Sequence, residues 1–186
     1  MNIPAQLNQK AVTVKTIRQF LTQFEPHITH YIVAQTNIRT YMRAQNAIDR
    51  DVELLNKKVR HFRNCFNQAL YAAKAKRKPL KWQPLLITTI EGVATSAEPT
   101  QTVHYNFAIG NLPDSLTTKE LAIVFRECWV DKAGIGNDDI WLQEANKLGN
   151  IGWLNYITKE AEKGNIETWD FVNTQIPYVA LEADLS

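Results

Sequence analysis

The sequence predicts an α+β domain in which helices pack on an antiparallel sheet. Three observations predict it. Residues 49–76 repeat apolar positions at helical spacing, and the runs 84–91 and 102–109 are β-branched and aromatic across a polar link. A helix-start signal at Thr117 then follows the second run closely. The resulting order, from residue 29 onward, is strand, long helix, strand, strand, helix, short strand, helix.

The elements follow in chain order. Val12, Ile17, Phe20, Leu21 and Phe24 form one face of a helix that ends before Pro26, so residues 1–28 read as a helical extension of a domain spanning 29–186. Residues 30–42 are rich in Tyr31, Ile32, Val33, Ile38 and Tyr41, and are expected to be a strand with a turn. Over 49–76, Val52, Leu55, Val59, Phe62, Phe66, Ala69 and Leu70 recur every three or four residues. Asp49, Asp51 and Glu53 near its start and basic residues toward its end complement the helix dipole, and Pro79 closes it. The runs PLLITTIE (84–91) and TVHYNFAI (102–109) make an antiparallel pair. Thr117 and Glu120 form a capping box ahead of Leu121, Val124 and Phe125. Gly134 and Gly136 break the chain, residues 140–144 are a further strand, and 150–163 a helix ended by Gly164. The apolar pieces 169–172 and 178–181 fit either strand or loop.

Length and composition fit one domain with a real core: 186 residues, 45% hydrophobic and 22% charged. No apolar run reaches membrane-spanning length, and the first residues lack a basic segment followed by an apolar one. The two cysteines, Cys65 and Cys128, are far apart and outside any C-x-x-C pair, which argues against a zinc ribbon and for a reducing compartment. The expected setting is the cytoplasm of a bacterial cell, with no membrane association. A net charge of +2 hides an asymmetry: residues 39–81 carry 12 Lys and Arg against 3 acids, and residues 82–186 carry 6 against 15. A polyanion-facing surface beside a cation-holding site fits that division, as does a solvated helix face.

Three small groups carry candidate chemistry. On a strand, His104 and Asn106 share a face and Tyr105 takes the other, and Glu91 ends the neighbouring strand. An imidazole, an amide oxygen and a carboxylate suit Mg²⁺ or Mn²⁺ with positions left for water and phosphate; the plain alternative is a hydrogen-bonded strand histidine. Tyr156 and Lys159 lie one helical turn apart in GWLNYITK. A phenol near pKa about 10 needs a nearby cation to act as a nucleophile at neutral pH. The alternative is that Trp153, Tyr156 and Ile157 are a core face. Arg60, Arg63, Lys74, Lys76, Arg77 and Lys78 can neutralise phosphates, Asn64 and Asn67 can contact bases, and Trp129, Trp141 and Trp153 either stack on bases or fill the core.

Taken together, Glu91, His104-x-Asn106 and Tyr156-x-x-Lys159 resemble the HUH endonuclease superfamily. The nearest likeness is to its single-tyrosine rolling-circle replication initiators, of the inovirus Gp2-like and plasmid kind. The resemblance runs from Arg60 to Lys159 through 60–67 (RHFRNCFN), 86–92 (ending in IEG), 103–110 (VHYNFAIG), 126–129 (RECW) and 152–160. It implies a central antiparallel sheet of about five strands flanked by helices, with 29–186 as the catalytic domain. It implies Tyr156 as nucleophile on single-stranded DNA at an origin or transfer site, Lys159 as its assistant, and Mg²⁺ or Mn²⁺ held by Glu91, His104 and Asn106. The product would be a 5′-phosphotyrosine that is later rejoined. The family usually has His-x-His where this chain has His104-x-Asn106, and oxygen in place of nitrogen favours a harder metal. No P-loop is present, so unwinding would fall to a separate helicase. The alternative within the same fold is a DNA-binding replication or copy-control factor, or a repressor, that does not cut. An RNA-recognition sheet lacks its aromatic Gly-containing motif here.

Overall fold

A computed structural model describes residues 16–17, 19–78, 80–145 and 168–178 of the chain. Its architecture is α+β. Strands β1 (Ile28–Arg39), β2 (Leu85–Glu91), β3 (Thr102–Gly110) and β4 (Ile140–Glu144) form one sheet in the order β2-β3-β1-β4. Every pairing is antiparallel. Helices α1 (Gln45–Tyr71), α2 (Ala73–Arg77) and α3 (Thr118–Arg126) follow β1, α1 and β3 respectively, and a π-helical turn, Glu127–Lys132, extends α3. Among the described residues the sheet has four strands. The helix expected over 150–163 lies outside the described residues.

The alternation of each strand sorts its side chains onto two faces, and each face has its own core. On the first, α1 and α3 cover Ile32 and Ala34 of β1, Leu86 and Ile90 of β2, and Val103, Tyr105, Phe107 and Ile109 of β3. Phe62 sits at the centre, with ring centroids 4.9 Å from Phe125, 5.1 Å from Trp129 and 5.7 Å from Phe107. Such offset and edge-on aromatic pairs add to the burial term for each ring. On the second face, Leu21 and Phe24 of the N-terminal segment pack on Tyr31, Leu85, Ile87, Ala108 and Trp169.

Two features of α1 depart from the sequence expectation. It starts at Gln45, four residues early, so its first turn holds no acid; it ends at Tyr71, so its last turn holds no base. The dipole complement read from the charges therefore falls inside the helix rather than at its ends. The break is Ala72, at φ 49°, after which Lys74, Lys76 and Arg77 belong to the separate α2. A local cause is visible: the Tyr71 hydroxyl donates to the backbone oxygen of Asn111, which fixes the end of α1 against the end of β3. The capping box at α3 is present in full, with Thr117 accepting from the Glu120 backbone N–H and the Glu120 carboxylate accepting from the Thr117 N–H.

The outer edge of β2 is covered by residues 169–175. Leu86 and Gln175 exchange backbone hydrogen bonds at 2.9 Å each way, and Asp170 donates its backbone N–H to Thr88 at 3.0 Å. An otherwise open edge is thereby satisfied. This explains why all seven residues of β2 are buried although it ends the strand order.

Candidate functional site

Strand register assembles the first group of predicted residues. Glu91 pairs with His104, and Thr89 with Asn106. Across β3, Asn106 pairs with Val33 of β1, and Val33 with Trp141 of β4. Directly opposed residues share a face, so Glu91, His104, Asn106, Gln35 and Trp141 all lie on the second face, away from α1. Tyr105 points into the opposite core, as the alternation requires.

The local geometry of this group has two causes. Gly92 turns the chain after Glu91 at φ 75°, where a Cβ would stand 2.5 Å from the Thr102 carbonyl oxygen. The His104 ring is oriented by that same carbonyl, 3.4 Å from Nδ1, which leaves Nε2 facing Glu91 Oε2 at 3.4 Å. The two side chains are 16% and 6% exposed. A carboxylate at that depth is costly unless it is matched, and the His104 ring is one of its partners. One row further along β3, Asn106 is fully buried and its amide nitrogen donates to Thr89 Oγ1 at 3.3 Å. Its carbonyl oxygen Oδ1 is buried and has no hydrogen-bond partner among the described residues. A buried amide oxygen left as a bare acceptor is costly unless something donates to it or it coordinates a cation.

These residues fit a hard divalent cation by donor chemistry: one carboxylate, one imidazole nitrogen with its other nitrogen turned to a carbonyl, and one oriented amide oxygen. Among the described residues no three His, Cys, Asp or Glu side chains gather to hold a metal.

Tyr156, Lys159 and Trp153 lie outside the described residues. Of the described tyrosines, Tyr31 shares the second face, but burial first and Glu25 second push its phenol up to about 12. Burial likewise raises Tyr71 to about 12, and Tyr105 rises further, beside Asp170. These three phenols are poor nucleophiles at neutral pH.

The predicted DNA-contacting residues divide. Arg60 and Asn64 are exposed on α1, and Lys74, Lys76, Arg77 and Lys78 are exposed on and after α2. Arg63 and Asn67 are engaged within the fold. Arg63 donates to the Val172 carbonyl at 2.7 Å, and Asn67 exchanges two amide hydrogen bonds with Gln175 at 3.0 and 2.8 Å. Burial, then Arg60, lowers the Arg63 pKa, and Asp170 offsets part of that. Trp129 is buried, with its indole N–H on the Gln35 carbonyl, whereas Trp141 is 45% exposed on the face that carries His104 and Asn106. Cys128 is core, its thiol pushed up to about 11 by burial, and Cys65 is half-buried; both are free.

Sequence reasoning missed three contributors. Gln35 pairs with His104 and accepts from the Thr102 hydroxyl at 2.6 Å; nothing in its neighbourhood marks it. Asp170 accepts from the Tyr105 hydroxyl at 3.3 Å across the sheet, a contact between residues 65 apart. Trp82 had a usable signal, an aromatic directly after the basic run 74–81. No helix among the described residues is long and apolar enough to cross a membrane. No protein-family model matches the chain, and no curated protein or solved structure does.

Proposed function

We propose that the chain is a metal-dependent endonuclease that nicks and rejoins single-stranded DNA, and so starts rolling-circle replication or transfer of a phage, plasmid or mobile element. One observation supports this: Glu91, His104 and Asn106 share one face of adjoining strands, and the buried Asn106 oxygen has no hydrogen-bond partner among the described residues.

Glu91, His104 and Asn106 would hold Mg²⁺ or Mn²⁺. When bound there, such an ion would supply positive charge beside the scissile phosphate and so ease attack on phosphorus. Tyr156 is the nucleophile: its phenolic oxygen bonds to phosphorus, the bond from phosphorus to the 3′ oxygen breaks, and that oxygen leaves with a proton as a 3′-hydroxyl. The enzyme keeps the 5′-phosphate as a tyrosyl ester, and attack by a 3′-hydroxyl reverses the step. Lys159 favours the phenolate. Exposed basic residues from Arg60 to Lys78 attract the strand in a salt-dependent manner. A separate helicase supplies the single strand. The setting in this reading is a bacterial cytoplasm.

The test is incubation with labelled single-stranded origin oligonucleotides and Mn²⁺, followed by a denaturing gel. The expected result is a protein–DNA band that EDTA and Tyr156→Phe abolish and that His104→Ala weakens by orders of magnitude. A second reading, DNA binding without cutting, is favoured by the depth of the site: Asn106 is fully buried, and Glu91 with His104 can satisfy each other. It predicts binding that persists in EDTA, no covalent band, and indifference to Tyr156→Phe.

A further inference from the structure

A second site lies at the other end of the sheet and on the other face. A cavity of about 540 Å³ opens where α1 breaks, between Tyr71, Trp82 and the residues that follow β3. Glu91 and His104 close one end of the β2–β3 pair; Leu85 and Gly110, next to this cavity, close the opposite end. Six residues of strand separate the two, roughly 20 Å.

Its walls have the chemistry of a nucleotide pocket. Trp82 is half-exposed, and the ammonium groups of Lys74 and Lys81 stand 4.7 and 5.6 Å from its ring centroid. Tyr71 lines the same space, its ring 6.1 Å from Trp82. The floor is held by backbone contacts: Asn111 donates its side-chain amide to the Gln83 carbonyl at 2.8 Å and accepts from Tyr71 at its own carbonyl. Ala72 and Asn111, two of the three described non-glycine residues with positive φ, both border the cavity. Non-glycine residues persist in that region only where the surroundings fix them, so the backbone on these two sides of the cavity is held in place. One acid, Asp114, stands at the rim.

We infer that this cavity binds one nucleotide of a single-stranded nucleic acid, with the base stacked on Trp82 and the flanking phosphates met by Lys74 and Lys81. Base stacking on an indole outweighs an exposed ammonium–indole contact, so an arriving base displaces the two ammonium groups from the ring. They then stand beside the strand's backbone, where each neutralises a phosphate. The volume lies within the range of small-ligand sites. Duplex nucleic acid does not fit, because its bases are already stacked on one another. The site shares Lys74 with the basic surface proposed above to attract the strand, but it needs no metal and neither Tyr156 nor Lys159, so it is tested separately from the nicking reaction.

The experiment uses the full chain in EDTA. Short oligothymidylate, carrying one photoreactive iodouracil, is titrated by anisotropy, and the cross-linked residue is mapped by mass spectrometry. The expected result is a cross-link to Trp82 and roughly ten- to hundred-fold weaker binding in Trp82→Ala. Lys74→Ala/Lys81→Ala, at two exposed side chains, should lower the slope of log affinity against log salt by about 1.4. Circular dichroism checks that each variant is folded; if Trp82→Ala is not, the lysine pair and the cross-link decide. Equal competition by duplex overturns the inference, as does a cross-link mapped elsewhere or an unchanged salt slope in the lysine variant. Loss of nicking in Tyr156→Phe with this binding intact leaves it standing.

Discussion

Replacing Asn106 by Asp changes a buried amide into a carboxylate of nearly the same size, so packing is kept and only charge is altered. The new carboxylate shares a face with Glu91 and is its diagonal neighbour on the adjoining strand, roughly 7–8 Å away. At an effective dielectric near 20, two negative charges at that separation repel by about 2 kcal/mol. For a 186-residue chain this corresponds to roughly 4–8 °C of melting temperature. A divalent cation between the carboxylates reverses the sign, and at a concentration a hundred times its Kd it adds about 2.7 kcal/mol. The assay is thermal and urea unfolding of parent and Asn106→Asp, in EDTA and in millimolar MnCl₂. The variant should be the less stable in EDTA, and Mn²⁺ should close most of the gap. Gln83→Glu, which buries a carboxylate at the opposite end of the β2–β3 pair, where the amide now meets the Ile176 carbonyl, is the control: it should lose stability that Mn²⁺ does not restore. If Mn²⁺ moves all three proteins equally, or none of them, the cation set at Glu91, His104 and Asn106 is wrong.

Other outcomes follow from particular contacts. Phe62→Ala empties the centre of the aromatic core and should cost about 3–5 kcal/mol in urea unfolding; a loss below 1 would mean the α1 face is not packed as described. Gly92→Ala forces a Cβ onto the Thr102 carbonyl at positive φ, and should lose about 1–3 kcal/mol together with most covalent-adduct yield, because Glu91 immediately precedes it. His30 has its pKa lowered by burial, only partly countered by Glu144, so the folded state prefers the neutral ring. The unfolded chain then binds more protons between the lowered folded value and 6.5, and stability falls as pH drops through that window. Urea midpoints at pH 7.5 and 5.5 should show a smaller acid loss in His30→Gln than in the parent.

Most of the fold was legible in the sequence because its elements are locally encoded. β4 begins and ends where the pattern placed it, β2 and β3 differ by a single residue, and the capping box at Thr117 holds both of its hydrogen bonds. The misplaced boundaries have tertiary causes. α1 carries good helix formers through 73–77, yet it breaks at Ala72, where Tyr71 is tied to Asn111 some forty residues away. Propensity carries no record of such a contact. The candidate site divides the same way. Period-two alternation put His104 and Asn106 on one face, and register added Glu91. The duties of Arg63 and Asn67 toward residues 172 and 175 were invisible, since a polar residue on a helix reads as solvated until its distant partner is known.

The division of the sheet into two faces decides where chemistry can sit. The first face is closed by α1, α3 and the π-helical turn over Phe62, Phe107, Phe125 and Trp129. The second is apolar only toward Leu85 and Ala108; two rows further along the strands it becomes Thr89–Asn106–Val33–Trp141 and then Glu91–His104–Gln35. An amide and a carboxylate sunk in such rows weaken a purely structural sheet, because each buried polar group costs free energy unless it is matched. These rows, beside a half-exposed Trp141, are where the second face buries its polar side chains. The nicking proposal thus needs the segment between Glu144 and Thr168 to bring Tyr156 to this face. A single cross-link from a substituted residue 156 to either face of the sheet would decide between cutting and binding alone.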